Sequence, residues 1–232
     1  MDINGITRAQ LADTIDHTLL RADAAKEELL ELCRTAAREG FHSVAVNSCA
    51  AGLCSEALKG SGVVCAVTVG FPLGQTSLEC KAFETREAVL AGAGEVDYVA
   101  DLSAIKSGDW AHAREEMARL TGICRELGAG IKVIFETCYL TEDEKKRLCE
   151  IACQVRPDFV KTSTGFGTPK DGRPSGATAE DIRLMKACVG DAVKIKASGG
   201  IRTTEKALMM LEAGASRIGT SSGVEIVRGL GA

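Results

Sequence analysis

The sequence predicts an α/β protein of the (β/α)8 TIM-barrel class, a single domain over residues 1–232, and three observations carry that expectation. Eight short runs rich in β-branched residues alternate with segments whose apolar residues recur every three or four positions. Each strand is then followed by a helical crossover, which makes the sheet parallel. The chain has 232 residues, close to the roughly 250 typical of that barrel. No linker, low-complexity tract or shift in composition divides it. An open doubly wound sheet is the competing architecture.

In chain order the strand candidates are "TIDHTLL" from Thr14, "SVAVN" from Ser43, "VVCAVTVG" from Val63 and "EVDYVADL" from Glu95. "IKVIFET" from Ile131, "DFVKTS" from Asp158, "VKIKAS" from Val193 and "SRIGT" from Ser216 follow. Between them, Lys26–Arg38, Leu78–Leu90, Ala111–Leu127 and Thr203–Ala213 have the spacing of amphipathic helices. Gly40, Gly92, Gly128 and Gly214 stand where these helices should end, each just ahead of a strand. The loop after strand six, "GTPKDGRPSGAT" from Gly167 to Thr178, holds two of the four prolines. In a barrel it lies on the C-terminal face, where the chemistry occurs.

Composition narrows the function. A formal charge of -4 and no basic run with interleaved aromatics argue against binding a nucleic-acid backbone. No window approaches the about 18 uninterrupted apolar residues of a membrane span, and "MDINGITRAQLADTID" shows no basic segment followed by an apolar one. A cytoplasmic protein with no nucleic-acid or membrane partner is expected. The ten cysteines form no C-x-x-C pair, and His17, His42 and His112 are too far apart in sequence to share a helix face. Neither a zinc site nor any other metal or cofactor is expected. Cys33, Cys65, Cys124, Cys149, Cys153 and Cys188 fall at apolar positions and read as reduced, buried thiols.

Strand alternation then gathers the charged residues. Phe159, Lys161 and Ser163 share one face of strand six, Lys194, Lys196 and Ser198 one face of strand seven, and Glu95, Asp97, Val99 and Asp101 one face of strand four. Asp97, Lys161 and Lys196 therefore converge in the barrel interior. Such a trio fits a structural ion-pair cluster, and it also fits catalysis: burial and a like charge both lower an amine's pKa, and a neutral lysine attacks carbonyls. Glycine-rich turns after strands six, seven and eight ("STGFG", "SGGIRT", "GTSSG") favour the second reading, because backbone N–H groups at such turns hold phosphate. The residues alone point to a barrel enzyme that takes a phosphorylated carbonyl compound and uses a lysine amine.

The segments "IDHTLL", "VTVGFPLGQTSLECKAFE", "GAGEVDYV", "FVKTSTGFG", "GATAEDIRLM", "KASGGIRT" and "AGASRIGTSSGVEIV" closely resemble the deoxyribose-phosphate aldolase family, in order from about Thr14 to Val227. The resemblance implies a class I aldolase, a carbon–carbon lyase that cleaves 2-deoxyribose 5-phosphate to glyceraldehyde 3-phosphate and acetaldehyde through a lysine Schiff base. It assigns the Schiff-base amine to Lys161, a second lysine to Lys196 and a proton-relay aspartate to Asp97. Asp16 matches a polar residue near the substrate hydroxyls. Thr164 and Gly165, Gly199 and Gly200, and Ser221 and Ser222 match the turns that contact phosphate. A homo-oligomer, dimer or tetramer, is also implied. A Schiff-base aldolase acting on another phosphorylated sugar or keto acid is the alternative.

The sequence departs from the family in several places. Tyr98, Val99, Ala100 and Asp101 follow Asp97 and would put an acid at the mouth of strand four; Ala45 and Ser48 differ on strand two, and the loop after strand six is longer. Lys194 stands where glycine is common. Its parity matches Lys196, so it is expected to point inward one layer lower and to need a carboxylate, Glu95 in preference to Glu136.

Overall fold

The computed structural model describes residues 5–231. Eight parallel strands close on themselves in sequence order: β1 (Ile15–Leu19), β2 (Ser43–Asn47), β3 (Val64–Val69), β4 (Glu95–Val99), β5 (Gly130–Ile134), β6 (Phe159–Lys161), β7 (Lys194–Ser198) and β8 (Arg217–Thr220). β8 pairs with β1, with Asp16 beside Gly219. The open sheet is thereby excluded.

The outer faces of the strands explain why the helices pack where they do. Val44, Val46, Val67, Val96, Tyr98, Val133, Val160, Ile195 and Ile218 alternate with the lumen-facing residues and are buried to 1% exposure or less. Covering each such side chain stabilises the fold by about 1.5–3 kcal/mol relative to leaving it in water. The expected helices appear with no bound moved by more than one residue: Lys26–Glu39, Leu78–Leu90, Trp110–Leu127 and Thr204–Glu212. Gly40 and Gly128 end two of them with φ of 71° and 75°, the left-handed conformation a glycine adopts without strain. Thr141, Thr178 and Thr203 cap helices on the C-terminal face through their hydroxyls.

Several departures noted in the sequence prove structural. Tyr98 faces outward, fully buried beside Lys81, whose ammonium pairs with Glu116 and donates to the Val99 carbonyl at 2.8 Å. Asp101 does lie at the mouth of β4, but its Oδ1 accepts from the N–H groups of Ser103 and Ala104, capping the helix Leu102–Lys106. Ser48 donates to Glu84 at 2.6 Å. None of the three enters the barrel lumen. Cys33, Cys65, Cys124 and Cys149 are buried as expected, whereas Cys153 and Cys188 are only half-buried; none of the ten cysteines forms a disulfide.

Candidate active site

β4, β6 and β7 bring Asp97, Lys161 and Lys196 together as their alternation requires. Asp97 Oδ2 accepts from Lys161 Nζ and Lys196 Nζ, each at 2.8 Å, and all three residues are 3% exposed or less. Lys161 and Lys196 are register partners across the β6–β7 ladder. Gly219 on β8 leaves the space that Lys196 fills: a Cβ there would stand 3.0 Å from Lys196 Cε.

The trio is part of a larger network. Lys132 on β5, in register with Asp97, donates to Asp97 Oδ1 at 2.8 Å and to Glu95 Oε2 at 2.6 Å. Arg217 on β8 donates to Asp16 Oδ1 at 2.9 Å and approaches Glu95 Oε2 at 3.4 Å. Asp16 also pairs with Lys196. Asp16, expected beside the substrate hydroxyls, is fully buried and meets the trio through its ion pair with Lys196. Lys132 and Arg217 were not expected, although strand parity places both inward just as it places Lys161.

Four cations therefore face three carboxylates in this network, and the surplus charge falls on Lys161. Burial is the main cause that lowers its pKa to about 8, and Lys196 and Lys132 add repulsion while Asp97 opposes the shift. Both effects expected from the sequence, burial and the like charge of Lys196, act on this amine, and burial is the larger. Lys132 shifts the other way, because Asp97, Glu95 and Asp16 together outweigh its burial. Asp97 is held well below the usual carboxylate range by three lysines despite complete burial. With Lys161 uncharged, the four cations reduce to three and the network is neutral.

Lys194 does not behave as expected. It shares the inward parity but sits at the first residue of β7, where the barrel opens to solvent, and it is exposed. Its ammonium lies 5.6 Å from the centroid of Phe159, which closes the barrel floor and also meets Lys132 and Arg217. Glu95 instead serves Lys132 and Arg217. Depth along the strand, which parity does not fix, decided this.

Above Lys161 opens a cavity of about 460 Å³, walled by Thr164, Gly165, Gly199, Gly200 and Ser221. Among the described residues no acceptor takes up the N–H groups of Gly165, Gly199, Gly200 or Ser221, so all four can receive an anion. Ser222 does not line this cavity, and its N–H donates to Thr220 Oγ1 at 2.9 Å. Thr164 lines it, but its N–H and hydroxyl both donate to Glu136. Arg21 and Arg202 stand at the rim, two cations that the glycine turns gave no hint of. Glycine is required at Gly200 by its φ of 69°.

Comparison with known proteins agrees with this geometry. Residues 11–229 match the family described as DeoC/LacD family aldolase. A deoxyribose-phosphate aldolase of Lactobacillus acidophilus is 47% identical over 97% of this chain and 92% of its own. One of Thermococcus gammatolerans is 49% identical, over 94% of this chain and 96% of its own. A solved structure, "Unique tetrameric structure of deoxyribose phosphate aldolase from Aeropyrum pernix", superposes with a TM-score of 0.88 at 31% identity, covering 97% of this chain and 92% of that one.

Proposed function

The chain belongs to the DeoC/LacD family of aldolases, and from that premise we propose how its residues carry out the family reaction. The protein is a deoxyribose-phosphate aldolase, a carbon–carbon lyase that reversibly cleaves 2-deoxy-D-ribose 5-phosphate to D-glyceraldehyde 3-phosphate and acetaldehyde. The observation that carries the reading is an amine with a pKa of about 8, buried against Asp97 beneath a cavity walled by free N–H groups.

Neutral Lys161 adds to C1 of the open-chain sugar, and loss of water gives the imine. The protonated imine draws in the electron pair of the C2–C3 bond. Loss of the C3 hydroxyl proton releases glyceraldehyde 3-phosphate, and protonation of C2 followed by hydrolysis releases acetaldehyde and restores the amine. Asp97, bonded to both lysines, is the group that relays protons. Lys196 and Asp16 keep the charge around Lys161 fixed, and the N–H groups of Gly165, Gly199, Gly200 and Ser221 take the phosphate, with Arg202 adding positive charge at the rim, where Arg21 is already paired with Asp23 and Glu28.

Acetaldehyde with borohydride is expected to inactivate the enzyme and leave an ethyl group on Lys161 in the peptide map, because only an imine is reduced in this way. The neutral amine is the reactive form, so the trapping rate should climb as pH rises through about 8 and level off above it. At pH 7 about a tenth of the amine is neutral. Ethylation of another lysine, or a trapping rate flat between pH 6 and 9, would defeat the assignment.

A cytoplasmic homo-oligomer, dimer or tetramer, completes the reading. No described helix is long and apolar enough to cross a membrane, and ten cysteines outside disulfides suit a reducing compartment. Phe83 and Leu90, seven positions apart on the helix Leu78–Leu90, are 68% and 67% exposed, an apolar stripe that a second copy would cover. Light scattering should report a multimer for the native chain and a lower mass for Phe83→Glu; a monomeric native protein would end this part of the reading.

A further inference from the structure

Glu136 has a conformation and a set of contacts that the reaction above leaves unused. It lies just beyond β5 with a φ of 54°, the left-handed region in which a residue with a side chain is strained unless its surroundings hold it. Its carboxylate is buried, with the residue 2% exposed, and accepts from the Thr164 N–H at 3.2 and 3.3 Å and from the Thr164 hydroxyl. Gly167 closes the other side, where a Cβ would meet Glu136 Cδ at 3.4 Å and Cys138 Sγ at 2.7 Å. On that side the carboxylate has no room, and its bonds to Thr164 hold it at the wall of the neighbouring cavity.

What it holds is the end of the shortest strand. β6 stops at Lys161, and beyond it the chain is fixed from two sides: Ser198 on β7 bonds Thr162 and Ser163, and Glu136 bonds Thr164. Thr164, with Phe166, lines both the glycine-lined cavity and a second one of about 600 Å³ on the side of Tyr139 and Leu102. A shift of Thr164 toward that second space would carry Gly165 away from the anion.

We infer that Glu136 is a positioning residue for the phosphorylated end of the substrate: by holding both donors of Thr164 it fixes the turn that presents the Gly165 N–H, without itself touching substrate. The inference rests on the aldolase reading above, and the test separates the two. Native protein is assayed first with 2-deoxyribose 5-phosphate and with 2-deoxyribose; failure to cleave the phosphorylated sugar would refute the reading itself, whatever Glu136 does. Glu136→Gly is the informative variant, since glycine accepts this φ without strain. Its activity on both sugars should fall, but unequally. KM for the phosphorylated sugar should rise about tenfold or more with a smaller change in kcat, so that the preference for that sugar drops by a similar factor. Glu136→Gln keeps a carbonyl oxygen for the Thr164 hydroxyl and should hold the preference within about threefold of native. A native preference in Glu136→Gly, or a glutamine variant as impaired as the glycine one, overturns the inference.

Discussion

Asp97→Asn is expected to cost turnover and stability together while leaving the nucleophile intact. The carboxylate is the shared partner of Lys132, Lys161 and Lys196, all fully buried. An amide of the same shape leaves Lys161 without a carboxylate and strips one each from Lys132 and Lys196, which keep Glu95 and Asp16, and removing one partner of a buried pair costs about 3–5 kcal/mol. A fall in melting temperature follows. Asp97 is also what opposes the lowering of the Lys161 pKa, so its removal lets that amine lose its proton at still lower pH. Borohydride trapping should then persist with its pH midpoint displaced below about 8. Turnover should nevertheless drop by about 10²–10⁴, the usual contribution of a positioned proton-transfer group. A variant that keeps its melting temperature and turns over within tenfold of native would show that Asp97 is neither anchor nor relay. Trapping lost in proportion to turnover would show that it serves imine formation instead.

Lys196→Leu is expected to act in the opposite direction on the same amine. Lys196 repels the charged form of Lys161 and competes with it for Asp97 Oδ2. Without it, Lys161 keeps Asp97 Oδ2 to itself and its pKa rises, although burial still holds it below that of a free lysine. Each unit of rise lowers the neutral fraction about tenfold at pH 7. Turnover at pH 7 should fall by at least about 100-fold when this is combined with the loss of a cation beside the reacting centre. The loss should shrink as pH rises toward 10, because hydroxide restores the neutral amine. Asp16 loses its lysine but keeps Arg217 at 2.9 Å, so the variant should fold, with reduced stability. An equal loss at every pH would exclude a role for Lys196 in setting the protonation of Lys161.

The sequence by itself determined the barrel, the identity of its strands and the inward direction of Asp97, Lys161 and Lys196, since the two-residue period of a strand assigns a face and strict strand–helix alternation assigns the topology. It held Lys132 and Arg217 under the same rule, each an isolated cation in an apolar strand. Only the tertiary structure decided depth and partnership. Lys194 and Lys196 share a parity, yet one is exposed at the floor of the barrel and the other is completely buried, because closure places the first residue of β7 at the rim. Asp16 likewise becomes an anchor for Lys196 and Arg217 through β8 folding back beside β1, a contact 201 positions distant in the chain. The pKa of Lys161 is the clearest case: it depends on how much water is excluded and on which charges surround the amine, and both quantities exist only once eight strands have met.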